Sequence, residues 1–150
     1  MFTYEFDYIP IKVGEKMIAR VEQDDEVINV TIGDTYLGTM IEDSGSEYGF
    51  VTDDEPLQAE LPDFSMAFKE ALAVENLPAA LHQIYGQNLI AWTWTDEKNL
   101  KLIAHPDVDL VDFAETIRDQ IYDVVLFAKP LIVYLSKEGS GQVEEINVNC

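Results

Sequence analysis

Residues 17–41 read MIARVEQDDEVINVTIGDTYLGTMI. Met17, Ala19 and Val21 recur at every second position, and Ile28, Val30 and Ile32 do the same eleven residues on. Alternation at a period of two is the signature of strands with one buried face. Asp24-Asp25 and Gly33-Asp34 stand where each run ends. Short acidic and glycine-first pairs of this kind turn a chain between antiparallel strands. The stretch therefore predicts three consecutive strands of a meander, the third over Tyr36–Ile41.

Working outward, Phe2, Tyr4, Phe6 and Tyr8 alternate with Thr3, Glu5 and Asp7 and predict a first strand with four aromatics on one face. Pro10 cannot donate to a ladder, which makes that strand an edge or a bulged one. Gly14-Glu15 is read as the turn into the second strand. Asp43-Ser44-Gly45-Ser46 is a loop, and Tyr48–Val51 a short fifth strand. Asp53 to Pro62 is acidic and carries two prolines, and is read as a linker.

Beyond it, Asp63 or Ser65 caps a helix bearing Phe64, Phe68, Ala71 and Leu72. Asn76 with Pro78 restarts a short helix through Leu81, Ile84 and Tyr85, which Gly86 stops. Leu89–Thr95 and Leu100–His105 form a hairpin. Asp109 caps a helix with Leu110, Phe113, Ala114, Ile117, Ile121, Val124 and Val125 inward, ended by Pro130. Leu131–Leu135 and Val143–Val148 make a last hairpin; residues 124–135 read equally as helix then strand or as strand throughout.

The expected fold is α+β: an antiparallel β-meander of about five strands, two further hairpins, and two to three helices packed on one face. The expectation is a single domain over 1–150, with the meander at 1–52, helices and a hairpin at 63–128, and the C-terminal hairpin at 131–149.

Composition bounds the function classes. The 150 residues carry 29 acids against 9 bases, a net charge of −20. Binding phosphates requires Lys and Arg, so nucleic acid as a direct ligand and anionic membrane surfaces are both excluded as expectations. The N-terminal residues carry acids where a signal peptide needs bases and an apolar run, so a cytoplasmic location is expected. Cys150, the one cysteine, allows no internal disulfide.

Between Arg20 and Lys69 there is no base. Successive turns of a meander alternate between the two ends of its sheet. Asp24, Asp25, Glu26, Glu42, Asp43 and Glu47 are therefore expected to share one rim. Glu15, Asp34, Asp53, Asp54 and Glu55 are expected at the opposite end. Two like charges 10 Å apart repel by about 0.4 kcal/mol in water, so a dozen in one region cost a few kcal/mol. The plain reading is a solvated surface that keeps the protein soluble; the functional one is a docking surface for a basic protein partner.

His105-Pro106-Asp107-Val108-Asp109 has metal-ligand residue types, yet a strand end, an X-Pro turn and a helix cap explain it without a metal. His82 stands alone. No loop follows the calcium-binding pattern, and no nucleophile elbow, phosphate loop or dinucleotide fingerprint occurs, so neither a catalytic residue nor a cofactor is expected. Trp92 and Trp94 share a strand face, read as core against the helices or, if exposed, as an aromatic anchor for a partner. An interaction module thus ranks first. A DNA mimic, or a small enzyme or ligand-binding fold with a cavity between sheet and helices, are the alternatives; oligomeric state and partner identity are not legible.

Overall fold

The computed structural model describes residues 2–150. The fold is α+β, with a five-stranded sheet, a four-stranded sheet and two α-helices. The chain divides into two compact units, one ending at Ala71 and the other beginning at Leu72.

In the first unit the strands are β1 (Phe2–Tyr8), β2 (Met17–Asp24), β3 (Val27–Ile32), β4 (Thr35–Glu42) and β5 (Phe50–Val51), in that spatial order and antiparallel throughout. The turn at Gly33-Asp34 falls as the sequence indicates, and the first turn is Asp25-Glu26, one residue beyond the expected Asp24-Asp25, because Asp24 still pairs with Val27. Asp25, at φ 56°, accepts the left-handed conformation that a two-residue hairpin requires, and Gly33 does so at φ 58°. The inner face carries Ala19, Val21, Ile28, Val30, Ile32 and Met40, all buried. Phe6 and Tyr8 meet Phe64 at ring-centroid distances of 5.5 and 5.3 Å, and Phe50 meets Phe68 at 5.8 Å.

Phe64 and Phe68 belong to α1 (Glu55–Tyr85), which corrects two expectations. The acidic, proline-bearing stretch read as a linker is the first turns of this helix, and the restart expected at Asn76 is its continuation. Among the described residues two α-helices are therefore present, rather than two to three. Leu57 and Leu61 extend the buried stripe of Phe64 and Phe68 backwards at helical spacing. Pro56 sits in the first turn, where its missing N–H costs nothing. Pro62 and Pro78 each delete one helical hydrogen bond, and burial of Leu57, Leu61, Phe64, Leu77 and Leu81 outweighs that loss.

The rest of α1 opens the second unit, whose sheet is ordered β6 (Leu89–Trp94), β7 (Asn99–Ala104), β8 (Leu131–Lys137), β9 (Val143–Val148). Both expected hairpins are present. Between them β7 and β8 run parallel, because α2 (Leu110–Gln120) carries the chain back across the sheet. Asp109 caps α2 by accepting the Asp112 N–H at 3.2 Å. The helix stops at Gln120 and passes through a 3-10 turn at Ile121–Asp123, well short of Pro130. The irregular run that follows finds partners elsewhere: the Asn149 side-chain amide donates to the Phe127 and Lys129 carbonyls at 2.9 and 3.1 Å. Residues 124–130 are thus neither helix nor strand, and β8 begins at Leu131. Leu77, Leu81, Leu89, Leu100, Leu102, Phe113, Ile117, Val133, Leu135 and Ile146 pack as this unit's core.

Candidate functional site

The register of the first sheet sorts the acids. Asp24 pairs with Val27, Val27 with Ile41, and Glu42 with Phe50. The Asp25-Glu26 turn, Glu42 and the loop from Asp43 to Gly49 therefore lie at one end of the sheet. Asp24, Asp25, Glu26, Glu42, Asp43 and Glu47 are all exposed there. Among the described residues none of the six forms an ion pair; Lys16 pairs with Asp7 at 3.4 Å and Arg20 with Glu22 at 3.0 Å.

The loop in this rim is held from within. The Asp43 N–H donates to the Gly49 carbonyl at 2.9 Å, the Ser46 hydroxyl to the Asp43 carbonyl at 2.7 Å, and the Gly45 N–H to Asp43 Oδ1 at 3.0 Å. Lys69 Nζ donates to the Tyr48 carbonyl at 2.8 Å and lies 5.8 Å from the centre of the Phe50 ring. These bonds hold the loop backbone and the Asp43 carboxylate in place.

The acids expected at the other end divide. Glu15 and Asp34 are exposed in the β1–β2 and β3–β4 connections. Asp53, Asp54 and Glu55 do not join them. Asp54 Oδ2 accepts the Thr39 backbone N–H at 2.8 Å, halfway along β4, and the Asp54 carbonyl accepts the first helical N–H of α1 from Gln58 at 2.9 Å. Asp54 thus ties the edge of the sheet to the helix start. It lies over Gly38, whose φ of 133° accompanies the bulge in β4.

One element of this surface was not anticipated. Asp24, Val27, Ile41 and Val51 form a single cross-strand row over β2, β3, β4 and β5, on the face opposite Ile28, Met40 and Phe50. Val27 is 38%, Ile41 46% and Val51 41% exposed. Three adjacent apolar side chains bordered by unpaired carboxylates have the make-up of an interface, an apolar centre with a charged margin.

A buried carboxylate lies apart from the rim. Glu60, on α1, accepts at Oε1 from the Tyr8 hydroxyl and from the Ile11 N–H, both at 2.8 Å. Burial, followed by this hydrogen bond and the charges of Glu60 and Asp63, raises the Tyr8 hydroxyl well above its ordinary range. The group ties the β1–β2 connection to the helix.

In the second unit, His82 Nδ1 lies 2.8 Å from the Leu89 carbonyl, which can only accept, so Nδ1 carries the proton. Its ring lies 5.3 Å from that of Trp92. His105 has the opposite arrangement, its Nδ1 accepting the Asp107 N–H at 3.1 Å. Among the described residues no three His, Cys, Asp or Glu side chains gather as a metal-holding group. A bulge at Ile90 moves Trp92 and Trp94 off the face of Ile90 and onto that of Leu89, opposite Leu102 and Leu100. Trp94 packs against the core, and Trp92, on the edge strand, stays 38% exposed.

Among the described residues, no helix is long and apolar enough to cross a membrane. No protein-family model matches this chain, nor does any curated protein or solved structure.

Proposed function

We propose that this chain is a protein-binding module that takes a basic partner on the rim of its first sheet. The observation that carries the reading is the row of Val27, Ile41 and Val51 placed against Asp24, Asp25, Glu26 and Asp43. Acids alone would serve solubility, and apolar side chains scattered singly need no explanation. Their juxtaposition answers both requirements of a docking surface: carboxylates steer and select a cationic partner, and the apolar row supplies area to bury.

The test is association kinetics with a basic protein recovered on the immobilised chain and released by salt. Reversal of Asp24, Asp25 and Asp43 to Lys is expected to slow association by about 10–100-fold at low salt and to flatten its salt dependence. Unchanged association by the triple variant would remove the rim from the account. Displacement of the partner by duplex DNA would instead assign the carboxylates to phosphate mimicry.

A further inference from the structure

We infer that the occupant of this rim is a basic amphipathic helix laid across β3, β4 and β5, with its apolar stripe on Val27, Ile41 and Val51. The inference rests on the docking reading above and adds the shape of the partner.

Spacing decides between shapes. Adjacent strands lie about 4.8 Å apart, so the row from Val27 through Ile41 to Val51 spans about 10 Å. A helix advances about 5.4 Å per turn, and side chains at i, i+3 or i+4, and i+7 span about 10.5 Å along one face. A strand presents side chains on one face only every 6–7 Å or so, and three of them cover about 13 Å. The helical period follows the row, and the strand period drifts out of step within two side chains.

The charge is placed to match. One long side of the row is bordered by the turn acids Asp25 and Glu26 and by Asp43, and Asp24 closes its β2 end, whereas Glu42, paired with Phe50, lies on the opposite face. The other long side is the row of Glu22, Asn29 and Thr39, where Glu22 is paired with Arg20 and Asn29 accepts the Tyr36 hydroxyl at 2.8 Å. Asp54 Oδ2 also lies against Thr39 on that side, so the carboxylates there are ion-paired or hydrogen-bonded, while those of the first flank form no ion pair. A matching helix carries Lys or Arg along one border of its apolar stripe and neutral polar residues along the other.

Two synthetic leucine–lysine peptides of identical composition test this, one with leucines at the helical period and one with strict alternation. Affinity is read by fluorescence anisotropy at low and moderate salt, and the contact by amide shift changes in the labelled protein. The helical-period peptide is expected to bind about tenfold or more tightly than the alternating one, with shifts centred on Val27, Ile41 and Val51. Ile41→Ser, on an exposed face and checked for an unchanged melting curve, is expected to erase that preference while keeping the salt dependence; Val51→Ser serves if Ile41→Ser fails to fold. Equal affinity of the two peptides, or a preference that survives both serine variants, overturns the helix inference. If the lysine reversal of Asp24, Asp25 and Asp43 still abolishes binding in that case, the acidic docking surface stands without it. Binding that ignores the reversal removes both.

Discussion

Replacing Glu60 with Ala removes the acceptor of two hydrogen bonds at one stroke. The Tyr8 hydroxyl and the Ile11 N–H both donate to Oε1 at 2.8 Å, and Glu60 itself is 4% exposed. Each buried donor left unmade costs about 1–3 kcal/mol. Tyr8 is buried, and its hydroxyl keeps only the Glu60 backbone carbonyl, 3.5 Å away, so it carries most of the penalty. Ile11 is exposed, so water partly repairs its amide. The sum is about 2–4 kcal/mol, a large part of the 5–15 kcal/mol typical of a domain. Urea unfolding followed by the near-ultraviolet dichroism of the aromatic cluster should show a midpoint lowered by on the order of 1 M. Hydrogen exchange at the Ile11 amide should accelerate in step. Glu60→Gln retains an oxygen at the acceptor position and should cost only about 1 kcal/mol. A Glu60→Ala protein within about 0.5 kcal/mol of the parent, or an Ile11 amide that exchanges no faster, would show that the carboxylate does not hold the β1–β2 connection.

In an alkaline titration followed by tyrosine absorbance, Tyr8 should ionise above the ordinary value of 10.0, as should Tyr85, raised by burial and then by Asp123. Because the folded value of Tyr8 is raised, its contribution is complete below pH 10 and lost as pH climbs toward that folded value; Tyr8→Phe should flatten this alkaline loss. Asp96 has the opposite sign. Its bonds from the Asn99 side chain and from the Lys98 and Asn99 amides hold it below the ordinary 3.8, so the order of the β6–β7 turn is complete above that pH and lost as pH falls through the lowered value. Exchange of the Lys98 and Asn99 amides should rise there, and Asp96→Ala should abolish the pH dependence. Gly38→Ala should cost about 2 kcal/mol or more in a thermal or urea melt, since φ is 133° and the new Cβ would collide with Asp54.

The meander was legible because its period and its punctuation agree. Gly33-Asp34 turns the chain where expected, and the first turn, at Asp25-Glu26, falls one residue beyond the expected Asp24-Asp25. The long helix was hidden by Pro56, Pro62 and Pro78, which local reading takes as breaks. Leu57 and Leu61, in phase with Phe64 and Phe68, were the signal that tertiary burial prevails there. The parallel pairing of β7 and β8 followed from the single helix between two hairpins, a topological constraint that strand patterns alone do not display.

The rim's carboxylates were legible through turn alternation, but its apolar row was not read. Its signal was present in the doublets Val27-Ile28, Met40-Ile41 and Phe50-Val51. Two consecutive apolar residues in a strand must send one to the outer face. Asp54 looked like one more acid because its partner, the Thr39 amide, is fifteen residues away and reached only through the fold.

The parallel pair also sets a timetable. In the first sheet chain neighbours are sheet neighbours, and β2, β3 and β4 are joined by two-residue turns, so each strand can dock as soon as the previous one is in place. In the second sheet Asn99 pairs with Ile132, and the whole of α2 lies in the connection between them. Closing that long loop forfeits chain entropy before any contact rewards it. Destabilising changes in the hairpins β2–β3 and β3–β4 should therefore act on the fast phase of refolding, and changes at Leu100, Leu102, Val133 and Leu135 on the slow one.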